Sequence, residues 1–218
     1  KTVGIMGGTG AGKSTVANLL IRLFNPPRGQ VFLDGLDVND VRLADLRRAI
    51  AYVPQDSFLF SRTIGENIAF DPAPHGEDEL FAAARLAQID PDVRDFAHGY
   101  ETMLGERGIT LSGGQRQRIS IARALIKDAR VLVLDDCLSA VDTVTEAKIL
   151  EGLRPYMADR TTVVISHRVA SLMHADEILV LEAGAVKERG THAELLAAGG
   201  EYAALYRKQQ LEAAIERM

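Results

Sequence analysis

Three short stretches carry residue types at spacings that could do chemistry. The first is 7-GGTGAGKS-14. Its glycines allow backbone conformations that turn several N–H groups toward one point. A helix starting at Lys13 adds its positive end to the same place. The pattern G-x-x-x-x-G-K-[ST] grips phosphate: Lys13 reaches β- and γ-phosphate oxygens, and the Ser14 hydroxyl serves Mg²⁺. The candidate contact set is Gly7, Gly8, Thr9, Gly10, Ala11, Gly12, Lys13, Ser14 and Thr15. A glycine-rich turn followed by a chance Lys-Ser is the plain alternative. A strand before the loop and a helix after it argue against that.

The second stretch is 131-VLVLDDCLSAVD-142, an apolar run ending in two carboxylates. Asp135, at the carboxyl end of a strand, lies where open α/β sheets place ligands, and it can hold Mg²⁺ or its waters. Asp136 is either a working general base or the mark of a site that binds without turning over. Cys137 reads as a small buried filler. The third stretch is 111-LSGGQ-115. Ser112 is a good N-cap, and Ser112, Gly113, Gly114 and Gln115 opening a helix make a second anion site. That site need not face the same ligand as the first.

Periodicity supplies the elements that must carry these residues. Strands are expected at 2–6, 30–33, 50–53, 131–134, 162–166, 177–181 and 185–189. Helices are expected at 13–24, stopped by Asn25-Pro26-Pro27, then at 43–49, at 63–70 behind a Thr63/Glu66 capping box, and at 112–127 and 144–157. A short helix should follow His167, and Thr191 with Glu194 caps another. The alanine-rich span 77–97 reads as two helices divided by Pro91. Residues 200–218 read as one helix with Leu211, Ala214, Ile215 and Met218 on one side. That stripe could pair with a partner's tail or pack on its own domain. Strands alternating with helices imply an α/β fold with a mainly parallel sheet. Residues 72–128 look like an inserted helical subdomain.

The 218 residues suffice for one sizeable core, and 47% hydrophobic with 25% charged residues is ordinary for a globular protein. A net charge of −5 argues against a nucleic-acid partner held by bulk electrostatics. The single cysteine excludes an internal disulfide. No uninterrupted apolar run approaches the ~20 residues that cross a bilayer. The first strand begins at once, with no start methionine, as expected of a piece of a longer polypeptide.

The chain resembles the nucleotide-binding domain of ABC ATPases of the exporter type. The matching residues run in the family's order: the loop at 7–14, Gln55 in 53-VPQD-56, 106-ERG-108, 111-LSGGQ-115, the acidic strand at 131–136, 139-SAVD-142, and His167 in 166-SHR-168. The resemblance implies a P-loop NTPase core, a helical subdomain, and an antiparallel β subdomain truncated here. It implies two such domains pairing head to tail around ATP and Mg²⁺, with LSGGQ of one facing the phosphate loop of the other and Asp142 near the interface. Gln55 would sense the metal and the attacking water, and His167 would touch the γ-phosphate. Ser14, Gln55 and Asp135 would form the metal site, and Asp136, His167 and Gln55 the catalytic set. Gln55, Phe58, Phe60 and Glu106 would meet the coupling helices of a transmembrane domain outside this chain, placing the domain on the cytoplasmic face of a membrane.

Each residue keeps a plainer alternative. His167 could be a satisfied strand-end histidine, Phe58 and Phe60 could be core, and Arg116 and Arg118 a solvated helix face, though Arg118 could brace a carboxylate. Asp136 stands where the pattern has glutamate. One methylene fewer retracts the carboxylate by roughly 1.5 Å, and a misplacement of about 1 Å can cost on the order of 100-fold in rate. The expectation is therefore a retentive site in one half of a heterodimeric exporter. An importer ATPase and a non-hydrolysing nucleotide switch are the alternatives. Chromosome-organising ATPases are set aside, because only about 55 residues separate Gln55 from LSGGQ and no heptads appear.

Overall fold

The structure, a computed structural model, describes residues 1–105 and 110–216. Among them, β1 (Thr2–Gly7), β4 (Ile50–Val53), β5 (Val131–Asp135), β6 (Thr161–Ile165), β7 (Glu177–Glu182) and β8 (Ala185–Gly190) form one sheet in the order β4-β5-β6-β1-β7-β8. All neighbours are parallel except the β7–β8 pair. The two separate strands β2 (Phe32–Leu33) and β3 (Leu36–Asp37) pair antiparallel.

Leu132, Val133 and Leu134 are all buried, so β5 is covered on both faces, as parallel strands require. Leu132 and Leu134 join a cluster with Ile64, Ile119 and Ile149, while Val133 joins Ile5, Ala17 and Leu46 on the opposite face. The first cluster is covered by α3 (Ile64–Ile68), α4 (Glu77–Leu86), α5 (Asp90–Asp95), α6 (Gly113–Ile126) and α7 (Thr143–Ala158); the second by α1 (Lys13–Leu20) and α2 (Leu43–Ala49). Beyond the sheet follow α8 (His192–Ala198) and α9 (Glu201–Glu216). No described helix is long and apolar enough to cross a membrane.

The capping boxes expected at Thr63 and Thr191 are present, and the N-cap expected at Ser112 also closes as a box with Gln115. Pro91 lies in the first turn of α5, where its missing N–H costs nothing. Three expectations need correction. The helix expected to reach residue 24 ends at Leu20. Arg22 turns left-handed (φ 48°), and Leu23 N–H bonds to Asn18 O while Arg22 N–H bonds to Leu19 O, a Schellman closure without glycine. Arg22 adopts this because its guanidinium donates to the carbonyls of Val38 and Val41, at 2.8 and 2.7 Å. The strand expected at 30–33 ends at Leu33 in the expected Asp34-Gly35 turn (φ 50° and 80°), but it starts only at Phe32, because the returning β3 offers just two residues, Leu36 and Asp37, to pair with. After His167 the chain makes only a single 3₁₀ turn, Val169–Ser171. On α9, Leu211 and Ile215 are exposed, so the apolar stripe does not pack on its own domain, and Met218 lies outside the described residues.

Candidate functional site

Parallel register sets the carboxyl ends of β1, β4, β5 and β6 side by side, with Val53 opposite Leu134, Asp135 opposite Ile165, and Ile165 opposite Ile5. The residues that follow these ends line one cleft of about 890 Å³. They include Gly7, Gly8, Thr9, Gly10, Gly12, Lys13, Ser14, Thr15, Gln55, Asp135, Asp136 and His167. Ala11 is the exception within the loop. It is buried, and its carbonyl accepts the Gly184 N–H from the β7–β8 turn at 3.1 Å, so it pins the loop and does not face the cleft.

Gly7 is fixed by close approach. A Cβ there would stand 2.3 Å from the Leu181 carbonyl oxygen, at φ 152°. Gly8 and Gly10 meet nothing within 4 Å, so their bareness leaves room on the cleft side. Lys13 folds back over the loop, its Nζ donating to the carbonyls of Gly7 (2.8 Å) and Gly8 (3.0 Å). A cation held, among the described residues, by two neutral carbonyls above a loop of unfilled glycines suits an incoming polyphosphate.

Asp135 is 2% exposed and accepts from Ser14 Oγ at 3.3 Å and from the Tyr52 hydroxyl at 3.2 Å. Burial raises its carboxyl above the usual range. The hydrogen bonds from Tyr52 and Ser14 pull the other way, and neighbouring Asp136 adds to the rise. Burial beside the same carboxylate pushes the Tyr52 phenol up as well, keeping it a donor. Ser14 and Asp135 offer the oxygen donors Mg²⁺ prefers. The described residues contain no cluster of three or more His, Cys, Asp or Glu fit for a metal. An ion completed by phosphate oxygens and water needs none.

Asp136 has φ 45°, its N–H bonded to Ile165 O at 2.8 Å, and its Oδ1 lies 2.8 Å from His167 Nδ1. The imidazole, two residues past the end of β6, is half exposed and lines the cleft.

The segment 111–115 does not line this cleft. Ser112 Oγ accepts the Gln115 N–H, while Gln115 Oε1 accepts the Ser112 N–H and its Nε2 donates to Asp92 at 3.0 Å. Arg118 forks onto both oxygens of Asp92 at 2.7 and 3.0 Å, so it braces a carboxylate and is not part of a solvated face. Arg116 is exposed and, among the described residues, donates to Leu111 O.

The ABC transporter family profile matches residues 1–139. The chain belongs to the ABC transporter family. An uncharacterized ABC transporter ATP-binding protein of Bacillus subtilis, YfiB, is 47% identical over 96% of this chain and 36% of its own length. The ATP-dependent lipid A-core flippase of Pasteurella multocida is 44% identical over 96% of this chain and 36% of its own. A solved bacterial Atm1-family ABC exporter with ATP bound superimposes with TM-score 0.91 at 44% identity, over 96% of this chain and 37% of that one. The chain thus spans about a third of the length of these relatives.

On the outer side of this ABC domain, Phe58 is 66% exposed and meets Phe60 edge-on, with centroids 5.1 Å apart. Phe60 stacks on Phe70 at 4.3 Å. Arg123 lies over both Phe60 and Phe70 and donates to Phe58 O. Phe58, Phe60, Gly105 and Thr110 line a groove of about 480 Å³; the aromatic pair is therefore not core. Glu106 and the rest of 106-ERG-108 fall outside the described residues.

Sequence reading missed four residues of this site. Tyr52 sits in an ordinary strand. Gln117 bridges α6 to the 139–142 segment, donating to Ser139 Oγ (3.1 Å) and accepting the Ala140 N–H (2.9 Å). Arg168 pairs with buried Glu146 and reaches Ser139 O, joining the same segment to His167. Gln209 comes from the C-terminal helix. None carries a spacing signal; a polar group inside an otherwise apolar run, as at Tyr52 in 50-IAYV-53, is the nearest to one.

Proposed function

We propose that this chain binds MgATP in the cleft and hydrolyses it slowly, as one half of a head-to-tail pair of such domains that drives an exporter. The observation that carries this reading is the convergence of Lys13, Ser14, Gln55, Asp135, Asp136 and His167 from four strand ends onto one cleft. Lys13 would exchange its two carbonyl partners for phosphate oxygens, and loop amides would hold the rest of the polyphosphate. Mg²⁺, held by Ser14 and Asp135 with Gln55 close by, would neutralise charge on the β- and γ-oxygens. Asp136 would take a proton from the water that attacks the γ-phosphorus, with ADP leaving.

Two features support a slow site. Asp136 is the shorter acid, and its carboxylate already faces His167. Because a carboxylate only accepts, His167 gives its Nδ1–H to Asp136. Its Nε2 can then donate to phosphate only as the doubly protonated ring. The position of 111–115 away from the cleft supports action on a second domain's nucleotide. The aromatic groove around Phe58 and Phe60 suits the apolar face of a helix from a membrane domain, and in this reading the domain works on the cytoplasmic side of the membrane. Glu106 is assigned to the same contact by family resemblance.

Titration with a fluorescent ATP analogue and Mg²⁺ tests the nucleotide reading. Lys13→Ala should weaken binding by about 100-fold, since charge-assisted hydrogen bonds contribute about 1.5–3 kcal/mol each. Unchanged affinity overturns the assignment. Single-turnover hydrolysis with and without a partner domain separates a slow enzyme from a switch: no phosphate release in either case favours the switch.

A further inference from the structure

His167 reaches the cleft from a loop, so its aim depends on the backbone that carries it. One side of that loop is held by Arg168, on Glu146 and on the carbonyls of Ser139 and Val141. The other side is held from 42 residues away. Gln209 Nε2 donates to His167 O at 2.7 Å, and its Oε1 accepts the Val169 N–H at 2.9 Å. The orientation of the amide is set by chemistry, because the flipped form would oppose oxygen to oxygen and N–H to N–H. One side chain thus pairs with the loop as a neighbouring strand would.

The helix bearing this amide is itself anchored. The Glu188 carboxylate accepts the Glu201 and Tyr202 N–H groups at 2.5 and 3.2 Å. Tyr202 is fully buried with its hydroxyl 2.7 Å from His192 Nδ1, and burial pushes that phenol up to about 12. Lys187 ties Glu201 to Glu182. Leu205, Lys208 and Gln209 also line the cleft, so α9 forms one of its walls.

We propose that Gln209 is a positioning residue for His167, through which the C-terminal helix sets the aim of the imidazole at the γ-phosphate. This rests on the nucleotide reading of His167. The clamp restrains a loop that already has a second anchor, so its loss should cost less than a full 1 Å misplacement.

The test uses this chain at concentrations that support domain pairing. Gln209→Ala should lower kcat about 10-fold, leave the KM for ATP within about twofold, and shift or broaden the His167 Cε1–H NMR resonance in nucleotide-free protein. Gln209→Glu, which sets a carboxylate oxygen against the His167 carbonyl, should behave alike. Gln209→Met keeps length and packing and replaces the alanine variant if that fails to fold. In a His167→Ala background the Gln209 substitution should add no further loss. An unmoved resonance with unchanged kcat, or a full further loss in that background, overturns the proposal. If His167→Ala alone leaves kcat untouched, the role assigned to His167 has failed and the proposal falls with it. A shifted resonance in that case shows that the clamp exists and the nucleotide reading was at fault.

Discussion

Asp135 and Asp92 are two carboxylates withdrawn from water in different parts of the molecule, and they shift in opposite directions. At Asp135, in the nucleotide cleft, burial wins over the neutral hydroxyls of Ser14 and Tyr52, and the carboxyl is raised. At Asp92, beneath the 111–115 loop, burial also pushes upward, but the hydrogen bonds from Arg118 and Gln115 outweigh it, and the carboxyl is lowered. The guanidinium settles Asp92 as a finished structural contact. Among the described residues Asp135 has neutral hydrogen-bond partners, so under the proposed function its charge would be balanced by a cation arriving with nucleotide. One region is complete by itself and presents a surface. The other would be completed by the nucleotide and metal proposed for it.

The largest effect expected from this contrast is at the finished contact. Arg118→Ala should cost about 3 kcal/mol by leaving Asp92 partly buried and unpaired, lowering the thermal midpoint by on the order of 10 °C. Nucleotide affinity of the isolated domain should hardly change. An unchanged midpoint would show that Asp92 is not anchored by charge.

Next comes the unfinished region. In the assembled pair, Asp136→Glu should raise turnover at this site by up to ~100-fold, with little effect on stability. Site-resolved turnover that stays flat against a partner with an intact LSGGQ would sink the retentive-site reading.

Glycines sharpen the comparison further. A Cβ on Gly114 would stand 2.9 Å from the Ala140 carbonyl oxygen, so Gly114→Ala should destabilise by about 2 kcal/mol. A Cβ on Gly8 meets nothing, so Gly8→Ala should leave the melting curve nearly unmoved and weaken nucleotide binding alone. Calorimetry and titration on the two variants should give opposite patterns.

The smallest effect is a pH dependence of opposite sign at the two aspartates. As pH rises from the unfolded value near 3.9, the unfolded chain loses the Asp135 proton before the folded one does. Asp135 therefore subtracts stability above its raised pKa, and Asp135→Asn should be the more stable nucleotide-free protein at pH 7, with the gain lost toward pH 4. Asp92, being lowered, adds stability that is present above ~3.9 and lost as pH falls through its folded value. Asp92→Asn should be less stable at pH 7. Melting curves across pH 3–7 decide both.

Much of this was legible in one dimension because its causes are local. The loop at 7–14 needs glycines followed by lysine at the mouth of a helix. The caps at Thr63, Ser112 and Thr191 each need a partner three residues on. The apolar run at 131–134 must be covered on both faces wherever it lies. Sequence thus determined the α/β class, the phosphate loop, the acidic strand end and the LSGGQ helix start. It could not say that Arg118 meets Asp92, that Tyr52 meets Asp135, that Gln117 and Arg168 grip the 139–142 segment from two sides, or that Gln209 clamps the loop of His167. Those pairs lie between 22 residues apart, at Gln117–Ser139, and 83, at Tyr52–Asp135, where no periodicity links the partners. Only strand order and register bring them together. Local rules set what each segment can be, and the packing of the sheet decides which side chains share a charge.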